Sequence, residues 1–233
     1  MKTYLPLFLL CTALCLACGK QHEQAHQGED ALHGHHHGSA NAYMNQRPFE
    51  ELVASFDSEE RTAWQKPDAV IASLGDLGGK TLVDIGAGSG YFLFRLAPLA
   101  DKVIGVDIDK RFLAHLEAEK AKLQPALRDR IEVRPTEPNT PRLSPGEADI
   151  VLIVNTYHHI EDRKAYFTLV REGLKPGGKL VVIDFKEGKL PVGPPEDHKL
   201  PLETILTELA AAGYENREID SKLLPYQHIV TAW

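Results

Sequence analysis

From residue 48 onward, apolar positions follow two alternating patterns. Phe49, Leu52, Val53 and Phe56 recur at helical spacing, with Glu50 and Glu51 between them. Asp57-Ser58-Glu59-Glu60 reads as the stop of that helix and the start of the next. Pro67 opens a third helix carrying Val70, Ile71 and Leu74, and Gly75 is placed to end it. Short apolar runs then read as strands at residues 81–85, 102–106, 130–134, 149–154 and 179–185. Helical patterns separate them at residues 91–99, 110–123 and 162–173, and another follows at 202–212. Residues 214–219 read as extended and 227–233 as a final strand. Strands that are apolar throughout and alternate with helices predict a parallel sheet covered on both faces. The short link at residues 220–226 predicts that the last two strands form an antiparallel edge hairpin. The expectation is therefore an α/β fold: a doubly wound, mainly parallel seven-stranded sheet with an antiparallel edge hairpin and an N-terminal helical cap.

The first 47 residues lack this pattern. A basic start at Met1-Lys2 precedes an almost wholly apolar stretch, residues 4–16, too short to span a bilayer comfortably. It ends Leu14-Cys15-Leu16-Ala17-Cys18-Gly19, which resembles the lipobox of bacterial lipoproteins. That resemblance implies a signal peptide over residues 1–17, a lipidated Cys18, membrane attachment through it, and a place in the bacterial cell envelope. If the leader is not used, the chain is cytoplasmic. The three cysteines are Cys11, Cys15 and Cys18, so cleavage would leave a domain without disulfides. Residues 18–47 read as a flexible tether rich in His, Gln, Gly and Ala. Its His33, His35, His36 and His37 could hold a transition metal weakly, or belong to a linker with no specific ligand. Residues 48–233 form the folded domain.

Charge narrows the partner classes. A net charge of -7 argues against nucleic-acid binding through a broad basic surface, so the expectation is a small-molecule or envelope acceptor and no nucleic acid. Oligomeric state is not set by the sequence.

The strongest chemical signal is Asp84-Ile85-Gly86-Ala87-Gly88-Ser89-Gly90, which follows a strand and precedes a helix. Glycines there admit positive φ and close backbone approach, and a helix start presents N–H groups to an anion. A dinucleotide loop would place a third glycine at position 91, where this chain has Tyr91. The spacing instead resembles motif I of class I S-adenosylmethionine-dependent methyltransferases. Residues 151–160 and 174–180 resemble that family's fourth-strand segment and the turn before its fifth strand. The resemblance implies a Rossmann-like fold with S-adenosylmethionine as cofactor. It assigns cofactor contacts to Asp84, Gly86, Ala87, Gly88 and Gly90, to Asp107 through the ribose hydroxyls, and to the adjoining Ile108. Many relatives carry an Asp near the adenine. Here the segment reads Arg134-Pro135-Thr136-Glu137-Pro138, so Glu137 or Thr136 is the candidate.

Methyl transfer from a sulfonium needs alignment and exclusion of water, and a base only where the acceptor loses a proton. Tyr157, His158 and His159 follow the fourth strand on the side expected for the methyl group, and are the catalytic candidates. Asn155 could contact cofactor or acceptor. Asp184 could act in the site or fix its own loop. Trp64 sits in the expected cap or belongs to the core, and His198, in a proline-rich loop, is either a weaker site candidate or exposed. A second whole-protein reading is a non-catalytic protein of this fold that binds metal through its His-rich tether.

Overall fold

The computed structural model describes Met44 and residues 46–233. The leader, Cys18 and the tether histidines His33, His35, His36 and His37 lie outside the described residues. The short helices α1 (Phe49–Phe56), α2 (Glu59–Gln65) and α3 (Pro67–Ser73) precede the sheet. Ser58 caps α2 by accepting a hydrogen bond from the Arg61 N–H, and Pro67 occupies the first turn of α3, where a missing N–H costs nothing. The alternating part then runs β1 (Thr81–Ile85), α4 (Leu93–Leu96), β2 (Lys102–Asp107), α5 (Lys110–Ala121), α6 (Pro125–Arg128), β3 (Ile131–Pro135) and β4 (Ala148–Val154). After a 3-10 turn at Tyr157–His159 come α7 (Arg163–Gly173), β5 (Leu174–Phe185), a second 3-10 turn at Glu196–His198, α8 (Leu202–Ala211), β6 (Arg217–Asp220) and β7 (Gln227–Ala232).

The seven strands are ordered β3-β2-β1-β4-β5-β7-β6. The first five are parallel to their neighbours, and β7 lies antiparallel between β5 and β6. The fold is thus the Rossmann-like, seven-stranded α/β sheet with an antiparallel edge. Successive strand residues feed opposite cores, as a two-residue period requires. Ile150, Leu152, Val181 and Ile183 pack with Val70, Leu93 and Leu96 on one face. Val151, Ile153, Leu180 and Val182 pack with Phe167, Ile205 and Leu209 on the other. Strand order reverses between β1 and β4, and the crevice at their carboxyl ends is where such sheets hold ligands.

The structure changes three local expectations. The helix read over residues 91–99 is continuous only over Leu93–Leu96; on its C-terminal side Pro98 has no N–H to carry the ladder on. The Pro176-Gly177-Gly178 segment is a bulge inside β5 rather than a turn before it, and the register with β4 jumps between Ala148 and Ile150. Glycine is needed there: a Cβ on Gly178 would meet the Lys175 carbonyl oxygen at 2.9 Å. The short α6 has the Pro-at-N1 signature, which the periodicity alone did not reveal. No described helix is long and apolar enough to cross a membrane.

Candidate functional site

A cavity of about 440 Å³ opens at the carboxyl ends of β1, β2 and β4, within the usual range for small-ligand sites. The loop after β1 forms one wall, through Gly86, Ala87 and Gly88. The Gly86 and Ala87 N–H groups both donate to the Val106 carbonyl, at 2.8 and 3.2 Å, which ties the loop to the end of β2. Gly86 has φ +72° and Gly88 has φ +54°. A Cβ on Gly86 would lie 2.3 Å from Thr156 Oγ1, so packing within the protein already demands glycine there. Gly90 differs from its neighbours. It is not part of the cavity wall, and a Cβ on it would strike Phe94 and Leu116. Packing beneath the loop by itself demands glycine at this position.

Asp107 ends β2 and is 8% exposed. Its Oδ2 accepts from the Gly88 N–H and its Oδ1 from the Asp109 N–H, each at 2.9 Å. The carboxylate is thereby fixed at the cavity wall beside the glycine loop. Burial raises its pKa above the ordinary value, while the backbone donors oppose that rise. Ile108, 45% exposed, and Thr136 and Glu137 also line the cavity.

Asp84 lies deeper, on β1. Burial and, less strongly, neighbouring Asp107 push its pKa up to about 7; Arg61 and the Leu93 N–H pull the other way. Arg61, on α2, was missed by the sequence reading. Its guanidinium sits 4.1 Å from the centroid of the Tyr91 ring and donates from Nη1 to the Phe56 carbonyl at 2.9 Å. Its Nε is buried and has no hydrogen-bond partner among the described residues. The signal was weak, since Arg61 stands in an otherwise unremarkable Glu-Glu-Arg-Thr run; only the burial singles it out.

On the other side of the cavity, His158 Nδ1 lies 2.9 Å from Asp184 Oδ1 and 3.0 Å from Oδ2. Asp184, next to last in β5, also accepts from the backbone N–H groups of Phe185 and His158. Burial alone would raise the Asp184 pKa, but the His158 charge and these donors outweigh it and hold the carboxyl below its ordinary value. An ionised Asp184 can only accept, so His158 Nδ1 carries a proton toward it. His159 is half-buried against the same cavity, its ring centroid 4.3 Å from that of His158. His198, the weaker site candidate of the proline-rich loop, lines the cavity too. Trp64 and Phe185, with ring centroids 5.7 Å apart, add an aromatic wall.

Tyr157 is corrected as a catalytic candidate. It is fully buried, stacks on Phe167, and bonds Glu208 Oε2 at 2.9 Å, away from the cavity wall. A 3-10 turn separates consecutive side chains by about 120°, which sends Tyr157 inward and the histidines to the site. Asn155 does line the cavity, at φ +56°, but its side chain is engaged with Gln65 and Gln227 in a network that ties α2 to β4 and β7. Among the described residues, no group of three or more His, Cys, Asp or Glu could hold a metal ion.

Comparison with known proteins agrees with this geometry. Residues 83–180 match the model of a methyltransferase domain. The tRNA U34 carboxymethyltransferase of Marinobacter nauticus is 32% identical over 149 residues, 60% of this chain and 43% of that protein. The enzyme of the same name from Shewanella woodyi is 32% identical over 159 residues, 64% of this chain and 45% of that protein. The chain therefore spans less than half the length of these relatives. The crystal structure of a SAM dependent methyltransferase from Aquifex aeolicus superposes with a TM-score of 0.71 at 21% identity, covering 80% of this chain and 98% of that one. The glycopeptide N-methyltransferase MtfA complexed with S-adenosylmethionine superposes at 0.58 and 17%, covering 72% and 92%. The relatives overturn the expectation of a small-molecule acceptor and no nucleic acid, since their name carries a tRNA substrate. Net charge describes the whole surface and does not govern what a single cavity mouth admits. The chain carries a class I S-adenosylmethionine-dependent methyltransferase fold, with the methyltransferase domain matched over residues 83–180.

Proposed function

We propose that this chain is an S-adenosylmethionine-dependent methyltransferase. The observation that carries this is Asp107, pinned by the Gly88 and Asp109 N–H groups so that its carboxylate borders the cavity beside the glycine loop. A carboxylate fixed in this way suits the paired hydroxyls of a ribose. Gly86, Ala87 and Gly88 would face the amino-acid end, and Ile108, Thr136 and Glu137 the adenine. Bound S-adenosylmethionine supplies an electrophilic methyl group on a sulfonium; the protein's part is to align the acceptor and keep water out. The apolar walls serve the second need. In this reading His158, oriented by Asp184, would take a proton from an acceptor hydroxyl or N–H.

The relatives support a nucleic-acid acceptor, and the aromatic wall of Trp64 and Phe185 suits a base turned out of its stack. The net charge of -7 would confine such contact to the mouth. The envelope location read from the leader stands as a competing proposal, because an exported, Cys18-anchored domain would not meet tRNA. Transfer of tritiated methyl from S-adenosylmethionine into bulk tRNA tests the reading. Incorporation that is lost in Asp107→Ala supports it; absence of incorporation, with acyl label found on Cys18, removes the nucleic-acid acceptor.

A further inference from the structure

Three side-chain amides close a ring beside the cavity. Gln65 Nε2 donates to Gln227 Oε1 at 2.7 Å, Gln227 Nε2 donates to Asn155 Oδ1, and Asn155 Nδ2 donates to Gln65 Oε1 at 3.4 Å. Each amide thus uses one donor and one acceptor within the ring. The members come from α2, β7 and the residue after β4, and lie 162, 72 and 90 positions apart in the chain. Gln65 and Gln227 are fully buried, where an apolar side chain is the usual occupant, and neither lines the cavity. Buried amides are costly unless bonded, and a closed cycle satisfies its members together. Asn155 is the member that reaches the cavity wall, from a left-handed backbone conformation at φ +56°.

The ring stands behind the aromatic wall. Trp64 precedes Gln65 on α2, and Phe185 on β5 is the direct strand partner of Gln227 on β7. Directly paired strand residues share a face, so Phe185 lies on the side of the sheet that Gln65 reaches. The Trp64 and Phe185 rings meet there with their planes tilted by 46°. A helix as short as α2 has little stability of its own and takes its position from its ties. Thr62 ties it to the Tyr91 hydroxyl and Lys66 ties it to the Leu223 carbonyl, the latter at an exposed position. The amide ring is the buried tie at its C-terminal end. We infer that Gln65 and Gln227 are positioning residues of the acceptor side: through their ring with Asn155 they hold Trp64 against Phe185 as a preset face for a flat acceptor. The inference rests on the reading of that wall as the acceptor side, and adds to it two residues that do not touch the cavity.

The test combines Gln65→Met with Gln227→Met in the full-length protein. Replacing both partners of a buried hydrogen bond by apolar groups of similar shape changes stability little, so the fold is kept while the ring is lost. Acrylamide quenching of fluorescence reads Trp64, in a Trp233→Phe background because the chain has two tryptophans. The quenching constant should rise by about twofold or more in the double variant, with the urea midpoint nearly unchanged. In tritiated methyl transfer to bulk tRNA, KM for tRNA should rise by about tenfold, while kcat and affinity for S-adenosylmethionine stay within about threefold. A folded double variant with wild-type quenching and KM overturns the inference, because buried apolar packing alone would then set the wall. An equal loss of S-adenosylmethionine affinity overturns it as well, since the ring would then serve the whole cavity. A second measurement needs no variant: side-chain amide hydrogen exchange in the wild type should show the ring protons of Gln65 and Gln227 protected, and exchange at the free-amide rate overturns the ring itself. A wild type that methylates no tRNA fails the acceptor reading instead, and is told apart because quenching and exchange are measured without acceptor.

Discussion

The imidazole of His158 and the carboxylate of Asp184 meet at 2.9 Å with both side chains about 95% buried, joining the turn after β4 to the end of β5. The pair fixes the ring's orientation toward the cavity. It also has a pH signature. The Asp184 pKa is held below its unfolded value of about 3.9, so its stabilisation is present above that value and is lost as pH falls through the folded pKa.

Replacing the carboxylate isolates that effect. Asp184→Asn should be less stable than wild type at neutral pH, by about 1–3 kcal/mol, because charge-assisted bonds become neutral ones. The deficit should shrink as pH drops below about 4, where wild type loses the same interaction. Urea unfolding across pH 3–7 reads this directly. A deficit that does not change with pH would show that Asp184 contributes no linked ionisation.

Asp84 should behave in the opposite sense. Its folded pKa is raised to about 7, so the native state holds a proton that the unfolded chain gives up near pH 4. The contribution is complete below pH about 4 and is lost as pH rises through about 7. Asp84→Asn cannot ionise. Its stability relative to wild type should therefore climb from pH 4 to pH 7 and level off above. A flat difference across that window would place the Asp84 pKa near its ordinary value.

These residues were unequally legible in the sequence. The glycine loop, Asp107 and the strand-helix alternation declare themselves through spacing, because backbone geometry and periodicity are local properties. Arg61 and the His158–Asp184 pair do not. Arg61 owes its meaning to burial against Phe56 and Tyr91, and Asp184 reaches His158 across 26 positions of chain. Tyr157 shows the reverse error. It shares a run with two site histidines, but the tight turn aims it at Glu208 instead. Gly90 shares a motif with Gly86 and Gly88, yet serves packing against Phe94 and Leu116.

The correction at Tyr157 has its own consequence. Tyr157→Phe keeps the stack on Phe167 and removes one hydrogen bond from Glu208, which Arg163 still holds at 2.6 and 2.8 Å. Stability should fall by about 1 kcal/mol, and affinity for S-adenosylmethionine should not change. A variant that binds the cofactor normally and keeps wild-type stability, yet loses methyl transfer, would return Tyr157 to the catalytic group.

The central claim is that the cavity at the ends of β1, β2 and β4 holds S-adenosylmethionine through Asp107. Calorimetric titration of S-adenosylmethionine into the purified protein, beside Asp107→Ala, tests it most directly. The account predicts saturable binding at one site, weakened by roughly tenfold or more once the ribose loses its carboxylate partner. No saturable binding to the wild type, or equal affinity in Asp107→Ala, would contradict it.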